Sequence, residues 1–131
     1  MDFLQGYRYP LMVRLFGLGV TGSTVTIISP PVPAGRIWCV THFAVEDETN
    51  AFTSFRAYLR DPGYDHWLLE DVSLLAGRLY WYDGMIYIPE DRVACVNFVG
   101  TTTADVLRVY VNGFQLVQPE DFKPGVPERS V

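Results

Sequence analysis

The sequence predicts an all-β domain, an antiparallel β-sandwich of jelly-roll or Greek-key type, and three observations carry that prediction. Short runs of alternating apolar and polar residues recur along the chain. Turn-forming clusters separate them roughly every 8–12 residues, the spacing of sandwiches and barrels. No stretch carries the 3.6-residue period of an amphipathic helix. The stretch Asp91 to Val117 sets the requirement for the rest. It reads as two strands joined by the polar turn Gly100-Thr101-Thr102-Thr103-Ala104-Asp105. The first of these strands is apolar on both faces and needs cover on both sides. The second alternates, with Leu107, Val109 and Val111 opposite Arg108, Tyr110 and Asn112. Two such strands cannot stand alone in water and demand more sheet around them.

Taken in order, residues 1–10 read as an N-terminal arm closed by Pro10, with Phe3, Leu4, Tyr7 and Tyr9 as its anchoring groups. Leu11 to Phe16 forms a strand, and the glycines at 17, 19 and 22 break it. Thr24 to Ser29 is β-branched and strand-like. The proline-rich run that follows, Pro30 to Gly35, forces an extended connection. Arg36 to Asp47 is the longest regular alternation. Ile37, Cys39, Thr41, Phe43 and Val45 fall on one face, opposite Trp38, Val40, His42 and Ala44. Phe52 to Arg60 points Phe55, Ala57 and Leu59 inward and Arg56, Tyr58 and Arg60 outward. Asp61-Pro62-Gly63 is a turn. Tyr64 to Val72 fits either a strand or an irregular crossing. Arg78–Tyr82 and Met85–Ile88 flank Asp83-Gly84, a dipeptide suited to a type I′ hairpin. The sandwich domain therefore spans 11–117, and the proline-containing segment 118–131 is expected as an extended tail outside the core.

The 131 residues suffice for one core without disulfide or metal staples. A net charge of −5 lacks the basic footprint of a nucleic-acid binder. Nine of the ten basic residues are arginine, Lys123 being the exception, and aromatic residues make up 15%. Lysine is depleted from interfaces while arginine, tyrosine and tryptophan are enriched, so this balance points to assembly. Cys39 and Cys95 lie inside apolar strand patterns and read as buried free thiols, a disulfide being the alternative. The N-terminal run has no basic n-region and is interrupted by Arg14. It is neither a signal peptide nor a membrane span, which sets the expected place of synthesis in the cytoplasm.

Little in the sequence resembles chemistry. His42 and His66 lack metal-ligand spacing, and the expected cofactor set is empty. The acidic runs Glu46-Asp47-Glu48 and Glu90-Asp91 could offer loop oxygens to calcium, but solvated loop charge is the simpler account. No serine or threonine has a nucleophile setting, and an enzyme is not expected. The informative feature is aromatic. Tyr58, Tyr80, Tyr82, Tyr87 and Tyr110 project away from the core set, with Arg56, Arg60, Arg78 and Arg108 among them. Either some of these line a second inner face of the sandwich, or they form a broad contact surface for subunits or sugars. Trp67, beside Asp65 and His66, is a possible glycan contact.

The runs VPAGRIWCVTHFAVEDETNAFTSF and LLAGRLYWYDGMIYIPEDRVACVNFVGTTTADVLRVYVNGF resemble small jelly-roll structural proteins of tailed bacteriophages. The shared features are Pro33, Gly35, Trp38 and Val40 in one strand, an acidic loop, and a closing pattern of Gly100, Thr101, Thr102, Asp105, Leu107 and Gly113. The resemblance covers about two-thirds of the chain and omits 1–22 and 118–131. It implies a virion component, foremost a capsid cement (decoration) protein made in the host cytoplasm. Such a protein would assemble with itself, as a homotrimer, and with the major capsid protein or other virion subunits. No nucleic-acid or membrane partner is expected. In that reading Phe3, Leu4, Tyr7 and Tyr9 anchor the arm and Phe122 and Val126 anchor the tail. The sheet-face contacts would be Arg56, Tyr58, Arg78, Tyr80, Tyr82, Tyr87, Arg108 and Tyr110. A head–tail or tail accessory protein and a carbohydrate- or receptor-binding tip are the alternatives.

Overall fold

Eight strands account for the fold of the computed structural model, which describes residues 8–61 and 63–117. They are β1 (Arg8–Leu18), β2 (Val25–Ile28), β3 (Arg36–Asp47), β4 (Phe52–Asp61), β5 (Tyr64–Leu74), β6 (Tyr80–Ile88), β7 (Val93–Val99) and β8 (Val106–Val117). Sheet A has the order β1-β8-β3-β6 and sheet B the order β2-β7-β4-β5. Every pairing is antiparallel. This interleaving of two four-stranded sheets is the jelly roll, so the expected fold class holds.

The core lies between the sheets. Sheet A contributes Val40, Phe43, Val45, Leu107, Val109 and Val111, and sheet B contributes Phe52, Phe55, Ala57, Ala94, Val96 and Phe98, all buried. Phe52 packs on Phe98 with ring centroids 5.6 Å apart, and Phe55 meets Tyr80 of the opposite sheet at 6.2 Å. Tilted pairs at these separations add directional attraction to area burial.

Several local expectations are corrected. Arg8, Tyr9 and Pro10 are not part of an arm but open β1, with Tyr9 opposite Gln115 and Pro10 opposite Phe114. Proline is tolerated there because β1 is an edge strand. Phe3, Leu4 and Tyr7 lie outside the described residues, as do Phe122 and Val126. Of the two readings left open for Tyr64 to Val72, the strand is the one observed: Tyr64–Leu74 is an edge strand, with a register shift against β4 and Ser73 at positive φ. Asp83-Gly84 makes no hairpin, since β6 runs unbroken through it. The last two strands are not hairpin partners either. β7 sits inside sheet B and β8 inside sheet A, so the six-residue loop 100–105 crosses from one sheet to the other.

The regular period assumed for β3 fails at Thr41. On the β8 side Val40 pairs with Gly113 and His42 with Asn112, leaving Thr41 as an extra residue. Such a bulge reverses side-chain parity beyond it. Trp38 and Val40 before the bulge therefore share the core with Phe43 and Val45 after it. Cys39, His42 and Ala44 take the outer face. Gly113 makes room for this step: a Cβ there would overlap the carbonyl oxygen of Cys39 and crowd the Thr41 amide.

Candidate functional site

The Tyr/Arg band expected on one surface is divided among three. Strand register fixes each assignment, because directly opposed residues share a face. Tyr80 and Tyr82 oppose Val45 and Phe43, so they face the sandwich interior at the β6 edge. Tyr80 is half-buried there, and its hydroxyl accepts a hydrogen bond from the Leu75 amide at 2.8 Å. Arg78 precedes β6, its guanidinium 5.7 Å from the Tyr80 ring centre. Tyr87 and Tyr110, with Arg108, lie on the outer face of sheet A. Tyr58 and Arg56 lie on the outer face of sheet B. No single surface holds all eight residues.

The outer face of sheet A is broad and apolar. β1 presents Met12, Phe16 and Leu18, exposed by 84%, 57% and 52%. β6 presents Trp81 and Tyr87, each more than half exposed. Register places Phe114 between Pro10 and Cys39, with Tyr87 completing that row. The next outward row is Met12, Asn112, His42 and Asp83, and the one after is Arg14, Tyr110, Ala44 and Trp81. His42 Nδ1 sits 2.7 Å from Asp83 Oδ1. Polar pairs close one end. Arg108 donates to Glu48 Oε1 at 2.7 Å, and the Tyr110 hydroxyl donates to Glu46 Oε1 at 2.7 Å. Burial and the Glu46 carboxylate both push the Tyr110 phenol up from its ordinary pKa. Trp81 escapes the sequence reading because that reading sets Tyr80 and Tyr82 outward and breaks the strand at Asp83-Gly84, and the β1 residues because β1 is apolar on both faces.

The outer face of sheet B is smaller and more polar. Trp67 opposes Tyr58 across the β4–β5 pair, and their ring centroids are 4.9 Å apart at 58°. Tyr58 does point outward, but Trp67 covers it, leaving only 4% exposed. Trp67 itself remains 56% exposed. Arg56 lies 5.1 Å from the Trp67 ring centre and pairs through Nε with Glu70 at 2.7 Å. The Tyr58 hydroxyl donates to Asn97 Oδ1 at 3.2 Å and receives a bond from Arg60 at 3.3 Å. Asn97 Oδ1 also accepts from the Thr26 hydroxyl at 2.9 Å. The result is an exposed indole bordered by arginine, carboxylate and amide groups. Cys95 opposes Tyr58 on the same face and is fully buried beneath this cover.

Cys39 and Cys95 are both free and fully buried, on the outward sides of opposite sheets with the core between them. The buried-thiol expectation therefore holds. Burial raises both thiol pKa values, more than offsetting Arg8 beside Cys39 and Arg60 beside Cys95.

The acidic run 46–48 does not converge on a cation. Glu46 and Glu48 turn to Tyr110 and Arg108, whereas Asp47 is buried at the end of β3. Its Oδ1 accepts the Thr49 and Asn50 amides at 2.9 and 3.1 Å. Asp105, equally buried, accepts the Thr102 amide at 2.9 Å and the Asn50 side-chain amide at 2.6 Å. The second oxygen of Asp47 is buried without a hydrogen-bond partner among the described residues, and the Asp105 carboxyl is its acidic neighbour. Burial and, after it, the neighbouring Asp105 carboxyl push Asp47 up to about 6. Burial also acts to raise Asp105, yet its Asp47 neighbour and the bonds from Thr102 and Asn50 hold it below the usual carboxylate value. Glu90, in the other acidic run, accepts the Gly35 amide at 2.7 Å. Among the described residues no three His, Cys, Asp or Glu side chains group as a metal site.

No protein-family model matches this chain, and no curated protein matches it. Among solved structures it is similar to a mutant of CBM29-2, a family 29 carbohydrate binding module. The identity is 12%, with 93% of this chain and 90% of that one covered, at a TM-score of 0.37. A likeness this distant assigns no function.

Proposed function

We propose that this protein is a structural virion subunit, a capsid cement (decoration) protein that works by burying apolar surface at subunit boundaries. The observation that carries this reading is the outer face of sheet A, where Met12, Phe16, Leu18, Trp81 and Tyr87 stand exposed on one four-stranded surface. A sheet face that leaves five large apolar side chains in water along its two edges is the kind of surface interaction sites use. At about 25 cal/mol per Å² removed from water, even a modest interface repeated over a shell adds large total stability. The phage setting comes from the sequence resemblance. Phe3, Leu4 and Tyr7, with Phe122 and Val126, would extend the contact to the major capsid protein or other virion subunits. The test is co-sedimentation of purified protein with empty capsids, wild type against a Met12→Glu/Phe16→Glu variant. Saturation at fixed stoichiometry, lost in a variant that still folds, supports the reading. A wild-type protein that ignores capsids ends it.

A second reading, a carbohydrate-binding tip, is favoured by one observation on the other sheet. Trp67 offers an exposed ring beside Arg56, Glu70 and Asn97, the mix of stacking surface and hydrogen-bonding groups that sugars use. Here Trp67→Ala abolishes glycan or cell binding while leaving the oligomeric state intact. Cement function involves no glycan binding at all.

A further inference from the structure

We infer that the outer face of sheet A takes a second copy of this chain, stacked face to face about a two-fold axis parallel to the strands. This rests on the assembly reading above and names the partner that covers the face. The sheet order places β1 and β6 at opposite edges. The outward side chains of β1 include Arg8 and Arg14 and no acid, whereas those of β6 include Asp83 and no base. The sheet therefore has a basic edge and an acidic edge, with Phe114, Tyr110, Cys39 and Ala44 between them.

Two ways exist to stack such a face on itself about a two-fold axis in the interface plane. An axis running across the strands lays β1 on β1 and β6 on β6, opposing like charges. An axis parallel to the strands lays each β1 over the other copy's β6. Arg14 and Trp81 share one row, and Asp83 stands in the next. Arg14 of one copy thus meets the ring of Trp81 and the carboxylate of Asp83 of the second copy, and the pair forms twice. Arginine over indole and arginine on carboxylate are both favourable, and the second arrangement makes them where the first makes repulsions. Asp83 already binds His42, but a carboxylate has acceptor sites for both.

The area suffices. Four strands about 4.8 Å apart and roughly ten residues long give a footprint near 600 Å² before side-chain relief. Stable interfaces bury about 800 Å² per partner, which relief of this size supplies. The contact is isologous and closes at two copies, in place of the trimer expected from the sequence.

The experiment is a charge swap read by light scattering on the full chain at several concentrations. Wild type is expected to be a dimer. Arg14→Glu and Asp83→Arg should each weaken it about ten-fold or more, and the double variant should recover most of the loss. Loss of the His42 contact is common to Asp83→Arg and the double variant, so recovery reads the contact between copies. Circular dichroism confirms that every variant folds. A monomeric or trimeric wild type, or a double variant no tighter than the singles, overturns the pairing. Capsid co-sedimentation of the same samples separates the two levels. A wild-type monomer that binds capsids refutes only the pairing, and one that binds none refutes the assembly reading as well.

Discussion

Asn50 bridges two carboxyl groups at the end of the sandwich, donating its backbone amide to Asp47 and its side-chain amide to Asp105, and neither acid has exposed surface. Their bonds to Asn50, Thr49 and Thr102 tie the β3–β4 loop to the loop that crosses between sheets. Folded Asp47 holds its proton more tightly than the unfolded chain does. Its contribution to stability is therefore complete at low pH and is lost as pH rises from the ordinary 3.8 through about 6. Asp105 is shifted the other way, so its contribution is present above the ordinary value and is lost as pH falls through its lowered one. The pair is at its best with one proton, in the window between the two. Asp47→Asn keeps an acceptor for the two amides and supplies a permanent donor to Asp105. Urea unfolding between pH 4.5 and 8 should show wild-type stability falling by roughly 2 kcal/mol and the variant nearly flat. Parallel curves would mean that folding does not raise the Asp47 pKa.

Gly113→Ala tests the bulge. The added methyl would meet backbone rather than a flexible side chain, so relief requires moving β3 itself. The expected loss is about 3 kcal/mol by urea titration, at the upper end for overpacking. A loss below about 1 kcal/mol would show that the strand yields there.

Trp67→Ala uncovers Tyr58, whose neighbour across the β4–β7 pair is Cys95. Alkylation of Cys95 by a small maleimide should accelerate several-fold, while Cys39 on the other sheet reacts at its wild-type rate. The stability cost should be only about 1 kcal/mol, as for an exposed aromatic pair. An unchanged Cys95 rate would show that β4 and β7 shield the thiol without the indole.

Phe55→Ala removes the ring that touches Phe52 within its own sheet and Tyr80 of the opposite one. Phe55 has no exposed surface, and a loss of about 3–5 kcal/mol is expected from chemical denaturation. Tyr80→Phe retains the ring contact and loses only the bond from Leu75, so it should cost about 1 kcal/mol.

Alternation made the strands legible, and the inward sets of β4 and β8 stand where their period of two put them. What alternation could not carry was parity across an irregularity. Nothing in Val40-Thr41-His42 announces an extra residue, yet Thr41 reverses the side-chain parity of β3 beyond it. Nor could a local signal distinguish turn from strand at Asp83-Gly84, where pairing with β3 overrides the dipeptide's preference. The polar loop 100–105 looks the same whether it closes a hairpin or crosses the sandwich. Trp67 was visible as a candidate, but its partner was not: Tyr58 lies across a hairpin whose register only pairing defines. Asp47 and Asp105 are distant in sequence and meet because β3 ends where β8 begins, the two being antiparallel neighbours in sheet A.

The placement of the two thiols has a practical consequence. Each is sealed by aromatic groups of its own sheet, Cys39 opposite Phe114 and Tyr87, and Cys95 opposite Tyr58. A single molecule therefore carries two independent clocks, one for the breathing of each layer. Timing both modifications in one mass-spectrometric time course would tell whether the layers open together or one at a time, with no foreign label introduced.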